Sequence, residues 1–590
     1  MAAAIAVWAC SRVKVISGAL PRSNHNMNVH IDNICSPLQH SIQRHSTNNK
    51  GEVMPQFTRR EVCVAGLSGL LLSAFGVAIA RAAEGEKSVV RLASTKAAAR
   101  LDPHIDVKWE VLMVLSAVYD TLVYQDKAGK IVPGLATAWQ VSDDGLRYEF
   151  DLREGVSFHD GTPFNAAAVK FNFDRINAIG PKSQKAASLI ADVSGVEVLA
   201  PTKVAIILKE ANGGFLFNLS LTYLAMVSPA AAAQWGDEYH MHQAGTGPYK
   251  FTEYDIGEKY TLVKNPDYAW APESFDHPGP ALVDELQWRF LPEPSSRSVA
   301  LLAGDFDIVF DLLPTSLSRV QASSDYDVIY SHLTGQPTYW FLNTQKAPTN
   351  DLAVRQALLH GVNMAAGVKS IMRGIAPQAR GPLSHSTPEF APQLDDLYAY
   401  DPAKAASMLD AAGWLVGADG VRQKDGQPLI LEVAMASWGS SEPFSVFLQS
   451  QLKELGIRVE LQMLEYAVQI QAGKKGEKNL LFTGGSGFAA GDSLMPFFFS
   501  DYADDGFAFS KFKDAKLDAL MIKAKATADD AERTSLYQQA QIYIMEQALI
   551  LPVYDYTVAI GVSKQMQGLD FGLVGLVTSA HGMSIAGKQG

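Results

Sequence analysis

The chain has 590 residues, more than a single hydrophobic core usually organises, so two or three domains are expected. Hydrophobic residues make up 47% of it and charged residues 19%, the balance of an ordinary globular protein. The formal net charge of −12 and the absence of a long Lys/Arg run argue against a nucleic-acid-binding protein.

The N-terminal part divides into two segments. Residues 1–53 are rich in Asn, Ser and His and lack a core-forming pattern, which predicts a disordered leader or a mis-assigned start. Residues 54–83 have the layout of a twin-arginine export signal, because Arg59 and Arg60 precede an uncharged run over 62–80 and small residues follow. The alternative is a membrane anchor, but glycine and serine dilute this short run. We expect a soluble periplasmic protein with a cleaved signal.

The three cysteines of the chain all precede the expected cleavage site. They are Cys10, Cys35 and Cys63. The mature chain is therefore predicted to have no disulfide and no thiol chemistry. Cys63 comes before the apolar run rather than at its end, so it is not placed for lipid attachment.

Strand and helix patterns alternate after the signal. Polarity alternates from Arg147 to Arg153, which predicts a half-buried strand. Asn165 and Asn350 are the expected N-caps of two helices, and Gly413 ends a third. The other predicted elements, in chain order, are the strand "VVRLAS", the helix "WEVLMVLSAVYDTLV", the strand pair "VEVLAPTKVAIILK", the strand in "ALVDELQWRFL", the helix and strand of "SSRSVALLAGDFDIVF", the strand "YWFLNT", the helices in "NDLAVRQALLHGVN" and "DPAKAASMLDAAGW", the βαβ unit from "LILEVAMAS" to "IRVELQML", the helix "AERTSLYQQAQIYIMEQA" and the strand "ILPVYDY". Repeated βαβ patterning predicts α/β lobes with largely parallel sheets.

An adjacent His159 and Asp160 stand near the end of "VSDDGLRYEFDLREGVSFHDGTPF" at 141–164. Neighbouring strand residues face opposite sides of a sheet, so these two side chains cannot easily hold one metal or form one catalytic dyad. A structural hairpin followed by a helix is the favoured interpretation.

The same stretch, extended to "GLATAWQVSDDGLRYEFDLREGVSFHDGTPFNAAAVKFNFDR" at 134–175, closely resembles the signature of the peptide/nickel family (family 5) of ABC-importer solute-binding proteins. Further segments resemble the same family in the same order: "GTGPY", "LVKNPDY", "VALLAGDFDIV", "FLNTQKAPTNDLAVRQAL", "YDPAKAASMLDAAGW", "LQSQLKELGIRVEL" and "LYQQAQIYIMEQALILPVY". The resemblance spans nearly all of the expected mature chain.

This resemblance implies an α/β, two-lobed periplasmic-binding-protein fold (type II) with an additional small domain. It implies that lobe I comprises 86–122, 281–340 and 553–590, the extra domain 123–280, and lobe II 341–552. The implied partners are the permease and ATPase of an ABC importer and a small organic or peptide ligand, with the chain a monomer that needs no cofactor.

The lobes would be linked by two crossovers, near 340–344 and 551–554, about which they rotate while their cores stay intact. A cleft between them is expected to be mostly apolar and aromatic, with a few polar groups. The candidate ligand-binding residues are Trp109, Tyr339, Trp340, Arg380, Trp438, Gly485, Ser486 and Phe488, and no metal ligand is predicted.

The ligand-holding residues of two branches of that family are not matched here. The nickel branch uses an arginine and a metal-ligating histidine, where this chain has "LTYLAMVSP" and "DYADDGFAF". The dipeptide branch uses an aspartate to pair the peptide's α-ammonium, and Gly485 stands at that place. A peptide or peptide-like ligand is the main prediction. A nickel chelate or metallophore is the alternative.

Other classes of function have weaker support. Gly485, Gly487 and Ala490 form a nominal dinucleotide fingerprint, but Gly491 and Pro496 are expected to prevent the helix it requires. No Gly-x-Ser-x-Gly or His-Glu-x-x-His motif occurs, so the chain is not expected to be an enzyme. An exported hydrolase and a ligand sensor that presents its ligand to a chemoreceptor remain as alternatives.

A metal site is conceivable at one other place. His240 and His242 in "YHMHQ" would share a face if the chain were extended there. Only two ligands are visible, so ordinary surface histidines are the favoured interpretation.

Overall fold

The computed structural model describes residues 87–95, 100–105, 109–126, 129–275, 277–485, 487–569 and 580–587. Up to residue 332 the elements are β1 (Val89–Ser94), α1 (Trp109–Val118), β2 (Val123–Gln125), β3 (Ile131–Pro133), β4 (Ala136–Val141), β5 (Arg147–Leu152), α2 (Ala166–Ile179), α3 (Gln184–Leu189), β6 (Val193–Ala200), β7 (Lys203–Leu208), α4 (Phe215–Ser220), α5 (Pro229–Trp235), β8 (Tyr249–Asp255), β9 (Lys259–Lys264), β10 (Glu285–Phe290), α6 (Pro294–Leu302), β11 (Ile308–Val309), α7 (Leu317–Gln321) and β12 (Tyr326–His332).

The second half continues with β13 (Thr338–Leu342), α8 (Leu352–Gly361), α9 (Met364–Met372), α10 (Pro402–Ala411), β14 (Leu415–Val416), β15 (Arg422–Lys424), β16 (Gln427–Pro428), β17 (Ile430–Ala436), α11 (Ser441–Glu454), β18 (Arg458–Leu464), α12 (Tyr466–Lys474), β19 (Leu480–Thr483), α13 (Ala490–Phe498), α14 (Tyr502–Asp505), α15 (Ala515–Ala526), α16 (Asp530–Glu546), β20 (Ile550–Tyr554), β21 (Thr557–Ser563), β22 (Met566–Gln567) and β23 (Ser584–Ile585). Short 3-10 helices cover Gly180–Lys182, Thr222–Leu224, Gly236–Met241 and Pro392–Asp396.

The largest sheet has seven strands in the order β12-β21-β11-β1-β10-β9-β8. β1 is parallel to β10 and β11, and the other pairs are antiparallel. Leu92, Leu286 and Trp288 contribute to the hydrophobic cluster beside it. The prediction of largely parallel sheets is wrong here, because short turns such as that between β8 and β9 join antiparallel neighbours.

A second sheet of five strands has the order β18-β17-β19-β13-β20. β17 is parallel to β18 and β19, which confirms the predicted βαβ unit through α11, whereas β13 is antiparallel to β19 and β20. Leu358, Leu448 and Leu494 from the surrounding helices belong to one hydrophobic cluster with its strands. We call residues 338–554, which include this sheet and the helices packed on it, the second lobe.

A third, wholly antiparallel sheet has the order β4-β5-β7-β6. Tyr148, Phe150 and Leu152 of β5 are buried while their neighbours are not, which confirms the predicted alternation. We call β4 to β7 with α2, α3 and α4 the small domain. The predicted extra domain, 123–280, also contained β8 and β9, which the structure adds to the seven-stranded sheet.

The chain passes between the seven- and five-stranded sheets at two places. Crossover one is 333–337, between β12 and β13, and crossover two is 555–556, between β20 and β21. The predicted hinge segments, 340–344 and 551–554, lie largely within β13 and β20. Every side chain of these two strands is buried, so the sheet holds them in place and the links lie beyond their ends.

Of the two predicted N-caps, one is confirmed and one is wrong. The side chain of Asn165 accepts from Ala168 N and caps α2, as predicted. Asn350 does not cap α8. Asp351 does, because its carboxylate accepts from Ala353 N at 2.9 Å.

The prediction that Gly491 and Pro496 prevent a helix after the glycine-rich segment is wrong. α13 spans Ala490–Phe498 and contains Pro496. Asp492 accepts from Phe488 N and Ala489 N and fixes the start of the helix, and the proline removes only one amide from its last turns.

Within the ranges given above, none of the helices combines the length and apolar character that a membrane span requires.

Candidate functional site

The two crossovers are joined to each other and to one loop of the second lobe. Leu333 N donates to Tyr556 O at 2.9 Å, which links crossover one to crossover two. Ser384 Oγ and Ser386 Oγ both donate to Leu333 O at 2.7 Å. This junction is where the chain passes between the two large sheets, and a ligand held beside it would be within reach of both lobes.

Gly484, Gly485 and Gly487, which we call the glycine loop, lie directly over this junction. Gly485 N donates to Gln336 O at 3.0 Å. A Cβ on Gly484 would lie 2.5 Å from Pro337 O, and one on Gly335 would overlap Gly487 O. Glycine is required at these positions because backbone approaches backbone and no side chain can move aside. The glycines of the nominal dinucleotide fingerprint thus serve a close-packed backbone contact.

The aromatic side chain of Trp438 follows β17, and the glycine loop follows its parallel neighbour β19, so both lie at the same edge of the five-stranded sheet. Trp438, just after β17, is partly buried, and its ring centroid lies 5.4 Å from that of Phe482 in β19. Its Nε1 has no hydrogen-bond partner among the described residues. Such a ring offers an apolar face and one donor, a combination suited to an organic ligand with polar groups.

Several buried polar atoms at the junction are likewise without partners among the described residues. They are Thr334 Oγ1 and Gln336 Oε1 in crossover one and Asp555 Oδ1 in crossover two. Buried polar atoms usually have hydrogen-bond partners. Three unpartnered atoms in these two short crossovers therefore indicate a functional site rather than a structural one. None of the three was predicted from the sequence, because their position between two sheets depends on how the strands are arranged.

Three ionisable side chains form a hydrogen-bonded row that begins at crossover two. Asp555 contacts His385 Nδ1 at 2.6 Å, and Asp395 contacts His385 Nε2 at 3.0 Å. The hydrogen bond that His385 donates to Asp555 raises the pKa of His385, with Asp395 adding to the effect. With both ring nitrogens engaged by carboxylates, His385 is not available as a base for Ser384 or Ser386, and the cluster is no catalytic triad.

The structure separates the sequence-predicted site residues into groups. Gly485 lies at the junction, and Trp438 lies at the same edge of the five-stranded sheet, next to Phe482. Tyr339 and Trp340 are fully buried in the core of the second lobe, where Tyr339 Oη accepts from Gln336 Nε2 at 2.6 Å. Phe488 is buried against the small domain.

The other predicted residues lie elsewhere. Arg380 lines a cavity of about 300 Å³ in the second lobe, together with Asp396, Tyr398 and Asp395, the partner of His385. Trp109 is the first residue of α1, but its side chain lies outside the described residues, as does Ser486 altogether.

The His159–Asp160 pair has a structural role. His159 Nε2 donates to Gly247 O at 2.9 Å, and burial lowers the pKa of His159 to about 4. Asp160 instead accepts from Thr162 and Ser228. The two side chains have different partners, which confirms the favoured interpretation.

Metal binding receives no support from the described residues. In the ranges that the structure covers, no three His, Cys, Asp or Glu side chains come together as a metal site. His242 stacks on Trp235 with ring centroids 3.5 Å apart, and His240 Nδ1 lies 2.9 Å from Asp237 O. Each of the two histidines thus has its own local partner.

Comparisons with known proteins agree with this arrangement. Residues 130–506 match the family model described as "Bacterial extracellular solute-binding proteins, family 5 Middle". The glutathione-binding protein GsiB of Shigella dysenteriae serotype 1 (strain Sd197) is 30% identical over 471 residues, which cover 77% of this chain and 86% of that protein.

Two solved structures are similar over most of the chain. NikA from Brucella suis in complex with Fe(III)-EDTA aligns with a TM-score of 0.73 and 26% identity, over 84% of this chain and 99% of that one. The ABC transporter-associated periplasmic binding protein DppA from Helicobacter pylori, in complex with the peptide STSA, aligns with a TM-score of 0.70 and 25% identity, over 86% and 99%.

The matched segment exceeds half of the chain and includes the glycine loop and Trp438. The chain therefore belongs to family 5 of the bacterial extracellular solute-binding proteins, the binding components that work with the permease and ATPase of an ABC importer.

Proposed function

We propose that this protein captures a short peptide or a peptide-like organic molecule between its lobes and delivers it to the importer. The observation that carries this proposal is the junction itself. The glycine loop packs on crossover one, unpartnered polar atoms lie in both crossovers, and Trp438 follows the strand next to β19 at the same edge of the sheet. Polar backbone and side-chain atoms would fix the orientation of the ligand, and the aromatic face would supply apolar area.

The relatives support the same class of ligand. One similar protein is named for glutathione, a tripeptide-like molecule, and one similar structure holds the peptide STSA. At the place where the dipeptide branch has an aspartate, Gly485 offers no countercharge to a peptide's α-ammonium. We therefore propose that recognition here does not depend on a free N-terminus paired at that position.

Calorimetric titration with glutathione, a dipeptide, the tetrapeptide Ser-Thr-Ser-Ala, Fe(III)-EDTA and a nickel salt tests this function. We expect at least one peptide-like probe to bind with a dissociation constant of about 10 μM or below. Tight binding of nickel or of the chelate, with none of the peptide probes binding, would contradict the proposal.

Substitution of Trp438 locates the site. Trp438→Ala should weaken binding of the peptide probe roughly ten- to a hundredfold, because the ring supplies much of the apolar contact. Tyr466→Ala, which removes an exposed aromatic ring from α12 of the same lobe, is the matched control and should leave the affinity unchanged. Equal affinities of the parent and Trp438→Ala would place the ligand elsewhere.

We propose that the protein has no catalytic activity of its own. Supporting this, His385 is held between two carboxylates, and the similar proteins reported above are binding proteins by name. Periplasmic delivery of ligand, rather than its conversion, is the proposed role.

Export is proposed to use the twin-arginine route. Arg59 and Arg60, which lie outside the described residues, precede the apolar run that motivates this proposal. Replacing both with Lys should leave most of the precursor in the cytoplasm, as measured by fractionation and immunoblotting. Arg81→Lys, at the far end of the run, is the control, and normal periplasmic accumulation of the double variant would exclude this route.

A further inference from the structure

The small domain contacts the second lobe at two places, and one of these contacts holds the glycine loop. We infer that the small domain positions this loop through Lys185 and Asp492 and thereby sets the balance between open and closed forms. The inference rests on the proposed function in one respect only, namely that the glycine loop contacts the ligand.

The first contact is centred on the carboxylate of Asp492. It accepts from Phe488 N at 3.0 Å and from Ala489 N at 2.8 Å, which fixes the end of the glycine loop to the start of α13. Lys185, from α3 of the small domain, donates to the same carboxylate at 3.0 Å. Both side chains are mostly buried, 22% and 17% exposed, so solvent screens their attraction less than that of a surface pair.

Phe488 adds an apolar part to this contact. It is 8% exposed and belongs to a hydrophobic cluster whose other members all come from residues 112–270. A residue of the second lobe thus completes the core of the small domain. Moving the small domain away would expose this ring, so the loop and the small domain are expected to move together.

The second contact lies at the ends of α15 and α16. Asp192 pairs with Lys525 at 2.9 Å, and Gly213 N donates to Lys525 O at 2.9 Å. A Cβ on Gly213 would overlap the backbone oxygen of Thr527. The fit requires glycine, and a larger side chain here would hold the small domain off the second lobe without touching the glycine loop.

Gly213→Val is therefore the decisive variant. In the ligand-free protein, we expect a larger radius of gyration in small-angle scattering. Hydrogen exchange at the amides of Phe488 and Ala489 should also be at least about tenfold faster. Gly195→Val, in β6 of the same domain, is the matched control, because a Cβ there meets no atom within 4 Å.

Lys185→Gln tests the ion pair separately. It should accelerate exchange at the same two amides and weaken the best-binding peptide probe through a faster dissociation rate, with little change in thermal stability. Lys170→Gln removes an exposed pair with Asp174 in the same domain and should change neither quantity. Lys185→Arg, which keeps the positive charge and leaves the Asp492 carboxylate in place, should change both quantities less than Lys185→Gln does.

The ligand-free measurements decide the inference even if no peptide probe binds. Unchanged scattering and unchanged exchange in both Gly213→Val and Lys185→Gln would overturn it. Loss of peptide binding in the parent, with the exchange effects as expected, would contradict the proposed ligand class and leave the positioning role intact.

Discussion

Acidification from pH 6.5 to pH 4 is expected to lower the free energy of unfolding by up to about 6 kcal/mol, because two histidines are buried in their neutral form. Burial lowers the pKa of His104 and of His159 to about 4. His104 is held neutral by its partners, since Arg175 donates to its Nδ1 at 2.8 Å and its Nε2 lies 3.1 Å from Ala225 O.

Acid destabilises the protein because the unfolded state binds protons at a higher pH than the folded state does. As the pH falls below about 6.5, histidines of the unfolded chain become protonated while His104 and His159 of the folded protein do not, so the unfolded state is favoured. Each of the two histidines therefore lowers the free energy of unfolding by up to about 3 kcal/mol between pH 6.5 and pH 4. His385 does not oppose the effect there, because its pKa is raised and its stabilising contribution is already complete below pH 6.5.

Denaturant titration of the parent at pH 7 and pH 4.5 measures this loss. The double variant His104→Gln and His159→Gln should be less stable at pH 7 but lose markedly less stability on acidification, because glutamine does not titrate. His332→Gln, which removes an exposed histidine, is the control. An equal pH-dependent loss in the parent and the double variant would refute the assignment.

Replacing Asp120 with Ala should destabilise the protein by about 4 kcal/mol or more. Asp120 is 2% exposed, and its carboxylate accepts four hydrogen bonds. The donors are Tyr124, Tyr268, Thr246 and Trp270, at 2.7, 3.1, 2.8 and 3.0 Å. Removing the carboxylate leaves all four donors without this acceptor, which costs far more than losing one hydrogen bond.

Tyr124→Phe is the matched variant, because it removes one of the four donors and keeps the carboxylate. It should cost only about 1 kcal/mol. Free energies of unfolding from urea titration at pH 7 compare the two. A loss for Asp120→Ala no larger than that for Tyr124→Phe would show that the network does not act as a unit.

The sequence by itself determined the local structure and the family. Alternating polarity located β5, and a side-chain oxygen at Asn165 located the start of α2. These features depend on residues close in the chain, whose spacing is fixed by backbone geometry. The position of the cap at Asp351 rather than Asn350 shows the limit of such signals, since neighbouring residues compete for the same role.

Only the tertiary structure decided which residues meet at the junction. Trp340 was predicted to line the cleft, but the order of the five strands buries it between β19 and β20. Asp555 and His385 are 170 residues apart, and Lys185 and Asp492 are 307 apart. No local sequence pattern encodes such pairs, because strand order and the packing of whole sheets bring them together. The free energy that selects this arrangement is spread over many buried contacts between residues far apart in the chain.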